Sequence, residues 1–203
     1  MNEIDLLCKK LGGTHTGKNR DTGAQNWGGD MSKLGYTVPY EKYFSSLKNE
    51  KISLLEIGIF RGGGLAVWSS YFSNGKIYGA DIGIKEFNAN KNLWKKIDNK
   101  VFDNLIDLYE TDSTNSTFIN NLNLPLFDII IDDGKHTPEA QYSTFCNFFP
   151  NLNSEGIYVI EDITKGNRYN QLISLLNNHS KEYKNIETFD AYDGKNHIIF
   201  IQK

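Results

Sequence analysis

Two short segments carry most of the reactive side chains in this sequence: Asp132-Asp133-Gly134-Lys135-His136 and Glu161-Asp162. Each follows a mostly apolar run, Phe127-Asp128-Ile129-Ile130-Ile131 before the first and Gly156-Ile157-Tyr158-Val159-Ile160 before the second. Both therefore fall where a buried strand ends. Neighbouring strands lie about 4.8 Å apart, so the four carboxyls would crowd one corner and repel one another unless something neutral or cationic intervenes. A hard divalent cation is the simplest remedy. An all-oxygen ligand set with open positions suits Mg²⁺ ahead of Mn²⁺ or Ca²⁺. In the plainer alternative, Asp132 caps its loop, Asp162 caps the following helix and only Glu161 is solvated. His136 stands just before Thr137-Pro138. It is either an ordinary loop histidine or a general base, the side-chain type best suited to proton transfer near neutral pH.

Further polar groups close the earlier strands. Leu54-Leu55-Glu56-Ile57 leads into Gly58, and Arg61-Gly62-Gly63-Gly64 follows. Glycines here let backbone approach a ligand, but the spacing differs from G-x-G-x-x-G, and a tight strand-to-helix turn alone would explain it. Lys76-Ile77-Tyr78-Gly79-Ala80-Asp81 ends in an acid suited to a ribose diol. The next strand is followed by Thr111-Asp112-Ser113, where Asp112 could recognise an adenine edge, cap a helix, or do both. These strand ends, in consecutive order, point to an adenosyl ligand at the carboxyl edge of a sheet, and no P-loop accompanies them.

Such groups need a sheet to hold them. Apolar runs at 52 to 57, 76 to 81, 105 to 110, 126 to 132 and 156 to 161 alternate with helical stretches at 63 to 72, 88 to 99, 137 to 149 and 168 to 178. This is the β-α-β pattern of a parallel sheet with helices on both faces. The run Phe127 to Ile131 is apolar on successive residues, which predicts a central strand. Extended runs at 183 to 191 and 195 to 202 meet at Asp193-Gly194, predicting an antiparallel hairpin with a type I′ turn. The expected fold is α/β and Rossmann-like: a seven-stranded, mostly parallel sheet with a C-terminal antiparallel hairpin.

The 203 residues, 39% of them hydrophobic, suit a single domain over 1–203. Residues 1–48 should supply an N-terminal helix, a lid-like loop and a second helix covering the cofactor site. The irregular stretch 11 to 37, with His15, Lys18, Arg20 and Trp27, would be the lid. A net charge of −3 offers no basic field for a polyanion, so nucleic acid is not the expected partner. The N-terminus lacks a signal pattern and no window approaches the roughly 20 apolar residues of a membrane span. The expectation is a cytoplasmic protein without membrane insertion. Cys8 and Cys146 read as ordinary thiols. A homodimer is compatible with the fold, though the sequence marks no interface.

Ile131-Asp132-Asp133-Gly134-Lys135-His136, then Phe148-Phe149-Pro150-Asn151-Leu152 and Gly156-Ile157-Tyr158-Val159-Ile160-Glu161-Asp162, resemble the metal-dependent sugar O-methyltransferases of macrolide biosynthesis, a branch of the class I S-adenosylmethionine-dependent enzymes. Leu55-Glu56-Ile57-Gly58, Gly62-Gly63 and Trp68 match as well. The resemblance implies that Asp133, Glu161 and Asp162 bind Mg²⁺ and that His136, working with Asp133, is the catalytic base. It places Glu56, Gly58, Asp81, Asp112, Ser113 and Asp132 at the S-adenosylmethionine site, beside Gly62 and Gly63. Gly64 stands where that family often has serine, and Lys135 replaces a small residue. The large N-terminal domain of the macrolide enzymes has no counterpart in this sequence, so their substrate is not expected to carry over.

The resulting expectation is methyl transfer to a hydroxyl of a saccharide, nucleotide-linked sugar or glycan precursor. Tyr36, Tyr40, Trp27, Tyr169 and Arg168 are candidate acceptor contacts, although aromatics flanking helices more often pack into the core. A catechol-type or cephalosporin hydroxylase-like enzyme could use the same fold and acids. A non-catalytic nucleotide-binding module is the alternative of another class.

Overall fold

The computed structural model describes residues 1–12 and 30–203. Its sheet comprises β1 (Ser53–Ile57), β2 (Lys76–Asp81), β3 (Leu105–Glu110), β4 (Phe127–Asp132), β5 (Leu152–Thr164), β6 (Asn185–Asp190) and β7 (Asn196–Gln202), in the order β3-β2-β1-β4-β5-β7-β6. The first five strands in that order are parallel, whereas β7 pairs antiparallel with both β5 and β6. This is the Rossmann-like seven-stranded plan expected from the sequence. The reversal of direction between β1-to-β2 and β1-to-β4 opens a crevice at their carboxyl ends, where such sheets bind ligands.

β4 lies at the centre, and Phe127, Ile129, Ile130 and Ile131 are fully buried, which accounts for its uninterrupted apolar run. β3 lies at an edge and keeps much of its surface, including Ile106, in solvent. The crossover helices α4 (Gly63–Tyr71), α5 (Lys85–Ile97), α7 (Pro138–Phe148) and α8 (Asn167–Leu176) fall close to the expected spans, and α6 (Ser116–Asn120) is a short turn between β3 and β4. One core packs Trp68, Phe72, Phe87 and Phe200 with residues from α4 and α5, and the other packs Phe145, Phe148, Tyr158 and Leu172 on the opposite face.

The N-terminal segment joins the first of these cores. α1 (Glu3–Leu7) is capped by Asn2, whose Oδ1 accepts from the Asp5 N–H at 2.8 Å while its Nδ2 donates to the Thr37 carbonyl at 2.7 Å. A π-helical turn, Cys8–Gly12, follows; beyond it come α2 (Asp30–Leu34) and α3 (Thr37–Phe44). Tyr40 of α3 presses against the Trp68 ring at 4.8 Å and the Phe200 ring at 5.4 Å. Residues 13–29, including most of the expected lid with His15, Lys18, Arg20 and Trp27, lie outside the described residues. No described helix is long and apolar enough to cross a membrane.

The C-terminal hairpin forms, but its turn differs from the expected type I′. The Gly194 N–H bonds to the Ala191 carbonyl at 3.0 Å, Ala191 pairs with Asn196, and Gly194 has a φ of +69° whereas Asp193 is not left-handed. A two-residue type I′ turn needs both central residues left-handed. Here Asp193 instead spends Oδ1 on the Lys195 and Asn196 N–H groups, which favours a longer loop. Tyr192 at its tip donates its N–H to the Leu34 carbonyl at 2.8 Å, tying the hairpin to the N-terminal segment.

Candidate active site

The two acids on β5 owe their placement to an irregularity. Ile160 pairs with Ile199 and Ile163 with His197, so Glu161 and Asp162 together oppose the single residue Ile198. This is a β-bulge, and Asp162 adopts a left-handed backbone with a φ of +53°, uncommon outside glycine. In a regular strand, consecutive side chains would leave on opposite faces. Here both reach the same helix: the Tyr36 hydroxyl donates to Asp162 Oδ1 at 2.9 Å, and the Tyr40 hydroxyl donates to Glu161 Oε1. Below them, Gln141 Nε2 of α7 donates to the Glu161 carbonyl at 2.9 Å and fixes the backbone at the bulge.

Across from β5, the loop after β4 supplies Asp133 and His136. Ligand atoms of Asp133, His136 and Asp162 lie within 4.8 Å of one another, a spacing that fits one cation. His136 Nε2 is 4.0 Å from Asp133 Oδ1, too far for a hydrogen bond, and 41% of its side chain is exposed, so the imidazole faces the cleft. Pro138 opens α7 and Thr137 Oγ1 accepts the Ala140 N–H at 3.4 Å, which fixes where the loop ends. Glu161 is buried against Tyr40 and does not join the closest trio.

Electrostatics match a site short of positive charge. Dense surroundings, followed by the negative charges of Glu161, Asp162 and Glu56, hold the Asp133 carboxyl well above the usual carboxylate range. Burial pushes Asp132 up to about 7, against the opposing effect of the Gly134 N–H that Oδ1 accepts at 3.1 Å. Burial, reinforced by the neighbouring acids, likewise raises the Tyr36 and Tyr40 phenols, so both remain neutral donors. The oxygen donors present, with one imidazole beside them, suit a hard divalent cation.

The crevice on the other side of β1 is lined by acceptors. Glu56 folds over Gly64, where any Cβ would strike its carboxylate, and Oε1 accepts from Trp68 Nε1 at 3.3 Å. Serine at position 64, frequent in the resembling family, would displace that carboxylate. Burial, then the charge of Glu161, raises the Glu56 carboxyl well above its ordinary range. Glu56 Oε2, Asp132 Oδ2 and Thr111 Oγ1 are buried without partners among the described residues. Unpaired buried acceptors are costly alone and fit a ligand carrying several N–H and O–H groups, as S-adenosylmethionine does. Asp81 is pinned by the Phe60 N–H at 2.9 Å and the Gly83 N–H at 3.1 Å, and each of its oxygens keeps a free lone pair.

Several expected residues have additional or different local duties. Gly62 caps α4 with a φ of +86°, and a Cβ there would press on the Phe87 ring at 2.6 Å, so core packing alone demands glycine. Gly63 opens α4 and is buried. Asp112 does not cap α6; Asn115 does, while Asp112 Oδ1 accepts from the Thr114 N–H at 2.9 Å and its hydroxyl at 2.7 Å. Ser113 Oγ lies 3.0 Å from Thr144 Oγ1. Asp162 does not cap α8, whose N-cap is Gly166.

Tyr36 and Tyr40, expected among acceptor contacts, are instead core residues whose hydroxyls hold the β5 acids. Their Tyr-x-x-x-Tyr spacing puts both on one helical face and was the available signal. Tyr169 packs on His197 at 4.5 Å and meets Thr188 Oγ1 at 3.1 Å. Arg168 is exposed on α8, and Trp27 lies outside the described residues.

Comparison with known proteins follows the same lines. A family model described as a methyltransferase domain matches residues 55–163, from β1 through the bulge of β5. The mycinamicin VI 2''-O-methyltransferase of Micromonospora griseorubida is 31% identical over 138 residues, covering 63% of this chain and 31% of that protein. The 8-demethyl-8-alpha-L-rhamnosyl tetracenomycin-C 2'-O-methyltransferase of Streptomyces olivaceus is 30% identical over 148 residues, covering 70% of this chain and 35% of that protein. The chain thus spans about a third of the length of these curated relatives. Among solved structures, the MycE methyltransferase of the mycinamycin biosynthetic pathway, in complex with Mg and SAH, superposes with a TM-score of 0.62 at 26% identity, over 83% of this chain and 49% of that one.

Proposed function

The chain belongs to the methyltransferase domain family, and on that premise we propose that it transfers the methyl group of S-adenosylmethionine to a sugar hydroxyl in a magnesium-dependent reaction with His136 as general base. The observation that carries this reading is the gathering of Asp133, Asp162 and His136 within 4.8 Å, facing the crevice lined by Glu56 and Asp81.

On the donor side, Asp81 accepts the ribose hydroxyls, and Asp112 with Ser113 meets the base. Glu56 and Asp132 direct their unpaired oxygens at the ligand's N–H and O–H groups. Gly58, Gly62 and Gly63 shape the loop that lets backbone lie beside the ligand. On the acceptor side, Asp133 and Asp162 are the oxygen ligands, with Glu161 completing the set from behind. A cation held there supplies Lewis-acid polarisation that makes the acceptor hydroxyl more acidic. His136 takes the proton, and Asp133 beside it favours the protonated imidazole that results. Holding both reactants across one narrow crevice adds the advantage of alignment.

The acceptor class is a saccharide, nucleotide-linked sugar or glycan precursor. The tetracenomycin relative supports it, since its name specifies O-methylation of a rhamnosyl compound. Residues 1–203 form one methyltransferase domain in this reading, with 1–48 covering the cofactor side.

The deciding experiment is transfer of labelled methyl from S-adenosylmethionine to a panel of free sugars, nucleotide-linked sugars and catechols, with and without Mg²⁺. Incorporation into a sugar that stops on chelation is expected. Incorporation into catechols alone would move the assignment to that class, and cofactor binding with no transfer to any acceptor would make the chain a non-catalytic module.

A further inference from the structure

We propose that Tyr36 and Tyr40 are positioning residues of the metal centre, gripping Asp162, a member of the cluster, and Glu161 behind it from one helical face so that both carboxyls stay on the cation's side of the strand. This rests on the metal-dependent reading above, and its test is built to fail separately from it.

Four observations converge on it. The two tyrosines are one helical turn apart at the start of α3, and their hydroxyls donate to consecutive acids on β5. Those acids can be approached from one side only because the bulge cancels the alternation of the strand. The left-handed backbone of Asp162 is held in place by the surroundings, and the 2.9 Å bond from Tyr36 is an identifiable part of that restraint. Finally, Tyr36 is 1% exposed and Tyr40 is 0% exposed, with Tyr40 wedged between Trp68 and Phe200; the Tyr36 hydroxyl also lies 3.4 Å from the His197 carbonyl, a longer contact than its 2.9 Å bond to Asp162.

The chemistry favours a phenol over other donors. A lysine at either place would neutralise the acids and compete with a cation for the same oxygens. A tyrosine supplies one neutral O–H, occupies one lone-pair direction of the carboxylate and leaves the remaining ones for a metal. The bland alternative is that two buried hydroxyls have merely found acceptors, as buried tyrosines usually do. The two accounts differ in what removing only the hydroxyl does to metal affinity.

The experiment is calorimetric titration of MgCl₂ into the full chain saturated with S-adenosylhomocysteine, comparing the parent with Tyr36→Phe, Tyr40→Phe and the double variant. Phenylalanine keeps each ring in its packing. Loss of outer partners of metal ligands typically weakens binding by about 10- to 100-fold, and a rise of that size in the Mg²⁺ dissociation constant is expected for each variant, with S-adenosylhomocysteine affinity unchanged. In turnover, the Mg²⁺ concentration for half-activation should rise far more than kcat falls. Tyr43→Phe is the control, because that hydroxyl, on the same helix, donates to Glu187 instead. Its metal affinity should match the parent.

Mg²⁺ affinities within twofold of the parent in both single variants would overturn the proposal. If the parent binds S-adenosylhomocysteine but no divalent cation, the metal-dependent reading fails first and takes this one with it. Should Tyr40→Phe lose its cooperative unfolding transition, Tyr36→Phe decides the matter alone.

Discussion

A Cβ placed on Gly58 would collide with the carbonyl oxygen of Asp133, and Gly58 has a φ of +88°. The loop leaving β1 and the loop leaving β4 are therefore in backbone contact, and the Asp133 N–H also bonds to the Ile57 carbonyl at 2.8 Å. The crevice lined by Glu56 and Asp81 and the cluster of Asp133, Asp162 and His136 share this one junction. Gly58→Ala should lower stability by roughly 1–3 kcal/mol, the usual cost of a non-glycine residue held in such a conformation. It should also weaken both S-adenosylhomocysteine and Mg²⁺ binding. Thermal unfolding with paired titrations measures this; loss of one affinity with the other intact would show the two halves to be independent.

His136→Ala removes the imidazole without touching the acids. Turnover should fall by roughly 10²- to 10⁴-fold, the range for a lost general base, while S-adenosylhomocysteine binding stays at the parent value. Single-turnover transfer of labelled methyl reads the first and calorimetry the second. Parent-like turnover would remove His136 from the chemistry.

In the proposed metal centre, the position of His136 makes binding sensitive to which cation is offered. Mg²⁺ prefers oxygen and should leave the imidazole free, whereas Zn²⁺ takes nitrogen readily. Asp133, Asp162 and His136 lie close enough to serve as a three-ligand zinc site. Zn²⁺ is expected to bind more tightly than Mg²⁺ and to inhibit, with His136→Ala losing most of the Zn²⁺ affinity and little of the Mg²⁺ affinity. Equal losses for both metals would place the imidazole in the ligand set under all conditions.

Asp81→Asn tests the donor side. A hydrogen bond to a charged group contributes about 1.5–3 kcal/mol, so replacing the carboxylate should weaken S-adenosylhomocysteine binding by about 10-fold or more. Mg²⁺ affinity should not change, because Asp81 is outside the metal cluster. An unaltered S-adenosylhomocysteine affinity would exclude Asp81 from ribose recognition.

The thiols offer a check on the N-terminal packing. Cys8 is 1% exposed, and burial, followed by the charges of Asp5 and Glu161, pushes its thiol up to about 12. A raised thiol pKa keeps the group protonated and unreactive at all pH values below it. At pH 8, an aromatic disulfide reagent should leave Cys8 untouched in the folded chain and modify it after denaturation. Rapid reaction in the native state would mean that α1 does not stay docked.

Much of this architecture is legible in the sequence because burial leaves a direct trace there. The run Phe127 to Ile131 marks the central strand, and the acids at 81, 112 and 133 fall at or just past strand ends, where the crevice opens, whereas β5 runs on past Glu161 and Asp162 to Thr164. What periodicity could not supply is the bulge. A period-two reading sends Glu161 and Asp162 to opposite faces, and only the extra residue against Ile198 brings them together. The role of Tyr36 and Tyr40 was hidden for the same reason, since their partners are distant in sequence and converge only once that bulge forms. The hairpin turn departs from the sequence pattern because Asp193-Gly194 suits a two-residue turn, while the side chain of Asp193 stabilises a wider one.

The bulge has one more consequence. β5 does not end at its acids: pairing with β7 resumes at Ile163 and Thr164, so Glu161 and Asp162 are clamped between ladder segments on both sides. Sequence change in the connection from Lys165 into α8 can therefore reshape what enters the crevice without loosening the acids. Such insulation separates the shape of the crevice mouth from the placement of the two carboxyls.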